Sequence, residues 1–308
     1  MSMNRREFLT TAIASAGAAV MAERLGAAGA SPDPYELVPL GKTGLKVTRV
    51  GFGTGMRGGG RQTNLTRMGM EKATALLKFG YERGIRLFDM ADMYGTHPFV
   101  AAALKGLPRE KLVYVSKIWV RPGGIPEKER PDADVLVDRF RKELDTDYID
   151  LLLIHCMTDA DWTDKQKRQM DIMANLKAKG IIKAHGVSVH SLAALKAAAE
   201  SPWVDSVHAR INPYGVAMDG KPEDVVPVLK KFREAGKGVV GMKIIGEGRF
   251  RDSDQQRDES VKYVLGLGCV DTLIIGFEKT EEIVDFENRV RKALAAASPV
   301  PARSEAAA

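Results

Sequence analysis

The sequence predicts an α/β chain closed into a TIM (β/α)8 barrel with an N-terminal β-hairpin, and three observations lead there. From residue 35 onward, short apolar runs rich in β-branched residues alternate with longer segments of helical periodicity. They make eight strand–helix units over about 260 residues, a length that suits a closed barrel better than an open doubly wound sheet. Runs such as LLLI at 151–154 are apolar without alternation, as strands covered on both faces of a parallel sheet must be.

Taken in order, YELVPLGKTGLKVTRVGFG reads as a hairpin turning at Lys42 to Gly44 and running into a first strand that ends in GFGTG. A Gly/Arg/Gln-rich loop over 57–66 precedes a helix at 67–83, where Ala73, Leu76, Leu77 and Phe79 fall near helical spacing. IRLFDMA (85–91) is the second strand, followed by a helix near 98–106. LVYVSKIW (112–119) leads to a helix at 132–144, and YIDLLLIH (148–155) to a helix at 164–179. The second half repeats the alternation. IKAHGVSVH, VDSVHARIN, GVVGMKII and VDTLIIGF are strands, with helices near 191–200, 223–235, 255–265 and 280–295.

The flanks differ from this body. Residues 1–30 place Arg5 and Arg6 before a short apolar run and then Ala28-Gly29-Ala30, a layout that resembles a twin-arginine export signal with its cleavage site. The run falls short of the roughly 20 residues a membrane span needs, so no stable span is expected. The predicted organisation is a signal over 1–30, a barrel over 31–297 and a disordered Ala/Pro-rich tail over 298–308. Passage through the twin-arginine export machinery to the periplasm follows; a frayed N-terminal helix on a cytoplasmic protein is the other reading.

Composition excludes some classes. Lys and Arg number 46 against 40 Asp and Glu, a net +6, but the basic residues form no tract, which argues against nucleic acid. Cys156 and Cys269 each sit in an apolar segment and fit small core residues, although a disulfide between them stays open. No convergent set of His and carboxylate ligands points to a metal.

In a barrel of this kind the chemistry sits where strands end, so polar residues closing apolar runs matter most. The second strand ends in Asp89, with Tyr94 in the loop beyond it. The third reaches Lys117 and the fourth His155. Singly each has a plain reading: a helix cap, a loop residue, a snorkelling lysine, a core histidine. Together, at the same end of three successive strands, they make a proton-donating set. A tyrosine ordinarily titrates near pH 10, a neighbouring ammonium lowers that value, Asp89 holds the ammonium and the imidazole orients a carbonyl oxygen. No side chain delivers hydride, so the set calls for a reduced nicotinamide cofactor.

FDMADMYG, VSKIW and DYIDLLLIH, with the entry LGKTGLKVTRVGFGTG, resemble the aldo-keto reductase family over residues 35–290. The resemblance implies an NADPH-dependent reductase of a small-molecule carbonyl substrate, with Tyr94 as proton donor, Lys117 and Asp89 tuning it, His155 orienting the carbonyl and Asp92 in a local structural role. On the cofactor side it implies Gly53 and Ser188, with Val189 where the family commonly has asparagine and His190 as a substitute. It also implies His208 where a glutamine is usual, Met242 and Lys243 where an aromatic stack and Ser-Pro-Leu are usual, and Gly276, Lys279 and Asn288 around the adenine end, supported by Arg249 and Arg251. Loops bearing Trp119 and Trp162 would wall the substrate pocket. The departures on the cofactor side leave a second class open: an exported barrel that binds or scaffolds without catalysis.

Overall fold

The computed structural model describes residues 32–297, so the expectations for the signal segment and the tail fall outside the described residues. Strands β1 (Leu37–Pro39) and β2 (Lys46–Thr48) form an antiparallel hairpin, Leu37 opposite Thr48 and Val38 opposite Val47. The barrel follows as β3 (Val50–Gly53), β4 (Leu87–Asp89), β5 (Val113–Ile118), β6 (Ile149–Met157), β7 (Ile182–Val189), β8 (Ser206–Arg210), β9 (Gly238–Met242) and β10 (Thr272–Ile275). These eight are parallel in chain order and close through β10 and β3, with Leu273 opposite Val50 and Ile275 opposite Phe52. The first predicted strand therefore divides at Arg49, its early part serving the hairpin and its later part the barrel.

Helices α1 (Met70–Arg83), α2 (His97–Ala103), α3 (Ala133–Leu144), α4 (Lys167–Ala178), α5 (Leu192–Glu200), α6 (Pro222–Glu234), α7 (Asp254–Gly266) and α8 (Thr280–Ala297) connect and follow the strands. Two predicted helices begin later than their apolar pattern. Ahead of α1 a separate turn, Asn64–Arg67, is closed by a capping box in which the Thr63 hydroxyl accepts from the Thr66 N–H. Ahead of α4 another turn, Trp162–Lys165, buries Trp162, whose indole N–H donates to the Ala194 carbonyl at 3.3 Å.

The core has two parts, as a closed barrel requires. One lies between strands and helices. The other fills the barrel itself, where Leu87, Val115, Leu153 and Ile274 meet Leu40, Leu45 and Val47 of the hairpin, which closes the N-terminal end like a stopper. Side chains alternate along a strand, so residues two further on also face inward, now at the C-terminal rim. That step carries Leu87 to Asp89, Val115 to Lys117, Leu153 to His155 and Val240 to Met242. The alternation that builds the core thus delivers polar groups to one end of it.

Candidate active site

Asp89 is buried, and its Oδ1 accepts from Lys117 Nζ at 2.6 Å and His208 Nε2 at 3.1 Å. Lys117 also donates to the Met90 carbonyl at 2.8 Å, so the ammonium is held on two sides. Since Asp89 can only accept, His208 carries its proton on Nε2, leaving Nδ1 buried without a partner among the described residues. Burial raises the Asp89 pKa, but the Lys117 ammonium and His208 together outweigh it and hold the carboxyl below its usual range. Burial lowers the Lys117 pKa, against the pull of Asp89.

Tyr94 sits at the end of a short helical turn, Asp92–Tyr94, terminated by Gly95 at φ 64°. A β-carbon at Gly95 would lie 2.3 Å from the Arg61 carbonyl oxygen, so glycine is required where the loop after β3 crosses this turn. The Tyr94 ring lies under the Lys117 ammonium, 5.0 Å from Nζ to the centroid, and its Oη is 3.2 Å from His155 Nε2. The sequence argument that Lys117 lowers the phenol is corrected here. Burial, then the Asp89 carboxylate and Cys156, push the Tyr94 pKa well above its ordinary value. Asp89 at 2.6 Å cancels most of the ammonium's field, and desolvation decides the sign.

His155 is driven the other way. Burial, Lys117 and His190 push its pKa well below the usual value, so the imidazole is neutral. Its Nδ1 is buried without a partner among the described residues, and the Trp119 ring meets it edge-on at 5.3 Å. The register between β6 and β7 shifts between Ile154 and Met157, and Cys156 takes φ 63° within that bulge. The Cys156 N–H donates to Ser188 Oγ at 2.9 Å. Ser188 is thereby committed to the bulge. Cys156 and Cys269 are both free thiols.

Asp92 is held through one oxygen, while its Oδ2 is buried without a hydrogen-bond partner among the described residues. Its Oδ1 meets Arg61 Nε at 3.0 Å and Arg139 Nη2 at 2.7 Å, and Arg61 continues to Glu129. Three segments meet at this buried carboxylate and Glu129 joins them through Arg61, which fixes the loop that carries Tyr94. Gly55 is a second constraint that sequence reasoning missed. A β-carbon there would lie 2.3 Å from Tyr94 Cζ, so the backbone after β3 is the wall of the phenol's slot. The GFGTG run is the only local signal for it. Arg61 and Arg139 give none, because their partner is far away in the chain.

A cleft of about 460 Å³ opens from Asp89 and Tyr94, passes Met242 to Ile245 and ends against Gly276 to Phe286. Gly53, Met242, Lys243, Gly276 and Lys279 line it, joined by Arg251, one of the two supporting cations, and by Arg57 and Arg257, which the sequence reading did not include; Arg249 does not line it. Ser188 and His208 lie beneath the rim and do not line it. Asn288 is exposed on α8, while Glu282, Asp285 and Phe286 of that helix face the cleft. Lys243 pairs with Glu247 at 2.7 Å and Arg251 lies 3.8 Å from Glu278. A larger groove of about 1070 Å³, lined by Tyr214, Lys221 and Tyr263, contains none of the strand-end residues and is a surface feature between loop and helix.

One further arrangement has the look of chemistry. Ser116 Oγ is 2.9 Å from His97 Nε2, and His97 Nδ1 is 2.7 Å from Glu143. Ser116 is sealed, with no exposed surface, and lines neither cavity, so this relay is a strut between β5, α2 and α3.

Residues 49–283 match the aldo/keto reductase family. The chain belongs to that family. It is 28% identical over 221 residues to Probable aldo-keto reductase 1 of Glycine max, covering 69% of this chain. It is 28% identical over 171 residues to the NADH-specific methylglyoxal reductase of Escherichia coli, covering 49% of this chain. The matches span 60% and 51% of those relatives' own lengths. A Klebsiella pneumoniae aldo/keto reductase, solved with NADP and acetate, shares the fold at TM-score 0.60 and 20% identity over 87% of this chain and 96% of its own. Among the described residues, no helix is long and apolar enough to cross a membrane, and no group of three His, Cys, Asp or Glu is placed to hold a metal ion.

Proposed function

We propose that this family member is an oxidoreductase that interconverts an aldehyde or ketone with its alcohol, using NADP(H). The observation that carries the reading is one buried cluster, Tyr94 Oη 3.2 Å from His155 Nε2 with the Lys117–Asp89 pair at 2.6 Å behind the ring. A reduced nicotinamide bound in the cleft would supply the hydride.

In the tautomer with hydrogen on Nε2, His155 donates toward Tyr94 Oη and toward a carbonyl oxygen placed between them. The phenolic proton is then free to be given to that oxygen. Burial keeps the phenol protonated until charge builds on the substrate, and the Lys117 ammonium over the ring would offset part of the charge on the phenolate left behind. Asp89, held by both Lys117 and His208, keeps the ammonium in place.

The cleft fits a dinucleotide in its chemistry. It begins at the proton donor, has glycine backbone at Gly53 and Gly276, and carries Lys243, Arg251 and Lys279 along its length. Lys279 has no carboxylate partner among the described residues, which makes it the cation best able to meet a 2′-phosphate and favours NADPH over NADH. A solved relative holds NADP, whereas another relative is named NADH-specific, so the preference is this chain's own.

The export reading stands beside this one: Arg5 and Arg6 direct the folded, cofactor-loaded chain through the twin-arginine machinery to the periplasm. Replacing both with lysine should leave the protein in the cytoplasmic fraction, and periplasmic recovery of that variant would refute it. The non-catalytic reading loses support because a fully buried ammonium beside a phenol is costly to maintain without use. Tyr94→Phe should keep NADPH binding while reducing carbonyl turnover by about 10²-fold, the scale of a lost general acid. Unchanged turnover would end the proposal.

A further inference from the structure

Beyond the His155 side of the cluster, the rim of the barrel carries His190, Arg210 and Arg121, none of which lines the cofactor cleft. Ser188 and His208 are paired across β7 and β8, and two residues further along the chain stand His190, just past the end of β7, and Arg210. Arg210 in turn pairs with Met242 of β9, next to Lys243. Arg121, in the loop after β5, completes the arc. Its Nη1 donates to the Cys156 carbonyl at 3.2 Å, its guanidinium carbon lies 5.9 Å from the Trp119 ring centroid, and its own carbonyl accepts from Arg130 Nη1 at 2.6 Å. Trp119 touches His155, so Arg121 is fixed one residue and one ring away from the carbonyl-orienting imidazole.

The arc keeps one unpaired cation among the described residues. Arg210 is bound by Asp219, Nε to Oδ1 at 2.7 Å, and Lys243 by Glu247. Arg121 has no carboxylate within ion-pairing distance among the described residues. Asp159, which feels its charge, is held by Lys165 at 2.8 Å. A guanidinium has five N–H donors, and Arg121 uses one of them here. Two groups beside it register the excess. Burial, then Arg210, Lys243 and Arg121, take the His190 pKa down to about 3. Burial raises the Cys156 thiol, with Arg121 the largest opposing influence.

From this geometry we infer that the substrate carbonyl belongs to a carboxylate-bearing aldehyde or ketone, and that Arg121 is the residue that reads the carboxylate. The inference rests on the carbonyl-reduction reading of Tyr94 and His155, and it adds the half of the substrate that does not react. An arginine suits the task because its planar fork takes both oxygens of a carboxylate, which a lysine cannot do. None of Arg121, Arg210 and His190 lines the cofactor cleft, so the two anions would be held by separate residues.

The test pairs substrates that differ in charge alone. With the full chain and NADPH, 3- and 4-carboxybenzaldehyde are compared with their methyl esters. The acids should be favoured in kcat/KM by about 10-fold or more, the range of a charge-assisted contact. Arg121→Gln should abolish that preference while leaving the ester rates and NADPH binding as they were. Arg121→Lys should restore part of it. In parallel, benzoate binding is followed by quenching of tryptophan fluorescence, with benzamide as the neutral control. Saturable benzoate binding lost in Arg121→Gln supports the site even if no aldehyde is turned over, in which case the reductase reading alone falls. Aldehydes reduced without preference for the acids, or benzoate bound equally by Arg121→Gln, overturns the inference and leaves the reductase reading intact.

Discussion

Gly55→Ala isolates the position of the proton donor from its chemistry. The Gly55 backbone lies outside the left-handed region, so alanine is allowed there, and the effect comes from one methyl group against one ring. That methyl would stand 2.3 Å from Tyr94 Cζ, 2.5 Å from Cε2 and 2.8 Å from Oη. Ordinary contact begins at 3.4 Å, so the ring must move by about 3.4 − 2.3 = 1.1 Å. Retreat carries Oη away from its 3.2 Å contact with His155 Nε2, and the chain at Gly58 runs close enough to the ring's other edge that a β-carbon there would lie 2.9 Å from Tyr94 Cδ1. Misplacing a reacting group by this much costs about 10²-fold in rate. Overpacking costs about 1–3 kcal/mol of stability, read as a melting temperature lower by roughly 2–4 °C per kcal/mol. The assay is NADPH-dependent reduction of 4-nitrobenzaldehyde beside circular dichroism and a melt. A folded variant that turns over as fast as wild type would refute the slot as the device that places Tyr94.

Three further outcomes follow from the same cluster. Lys117→Met leaves the Asp89 carboxylate buried with His208 as its remaining donor and should destabilise the fold by about 3–5 kcal/mol; an unmoved urea midpoint would contradict it. His208→Leu should lower kcat with little change in KM, because the histidine acts through Asp89, and His208→Gln should recover most of the loss; equal rates in all three would remove His208 from the mechanism. In the reductive direction the pH profile should stay level through neutrality. The raised Tyr94 pKa keeps the phenol protonated, the lowered His155 pKa keeps the imidazole neutral, and the rate falls only as pH climbs past the ordinary tyrosine value of about 10. A titration of kcat at neutral pH would show that another group controls the proton.

How much of this was legible in the sequence divides along physical lines. The barrel followed from local alternation, because a parallel strand buried on both faces writes its burial into a run such as LLLI. Asp89, Lys117 and His155 were legible for a related reason: each closes such a run, and strand parity fixes where it points. Tyr94's acidity was not, since its sign depends on how far Asp89 cancels Lys117 and how thoroughly the ring is desolvated. The resemblance puts Asn288 at the adenine end, but helical phase turns Glu282 and Asp285 toward the cleft instead. Arg121 was hidden in a loop expected to wall the pocket, because nothing local says that its guanidinium would bond a backbone carbonyl beside His155.

The carboxylate of Asp92 bears on how this protein can be changed. Glu129 lies in the loop after β5, a region that in such barrels is free to vary with the substrate. Here that loop grips Arg61, which grips Asp92, two residues from Tyr94. A graft that swaps the loop to admit a new substrate therefore also loosens the proton donor, unless an acid is kept at position 129. Specificity and chemistry share a hinge pin in this molecule, and a library that varies the loop while holding Glu129, Arg61 and Arg139 should yield more active members than one that randomises it whole.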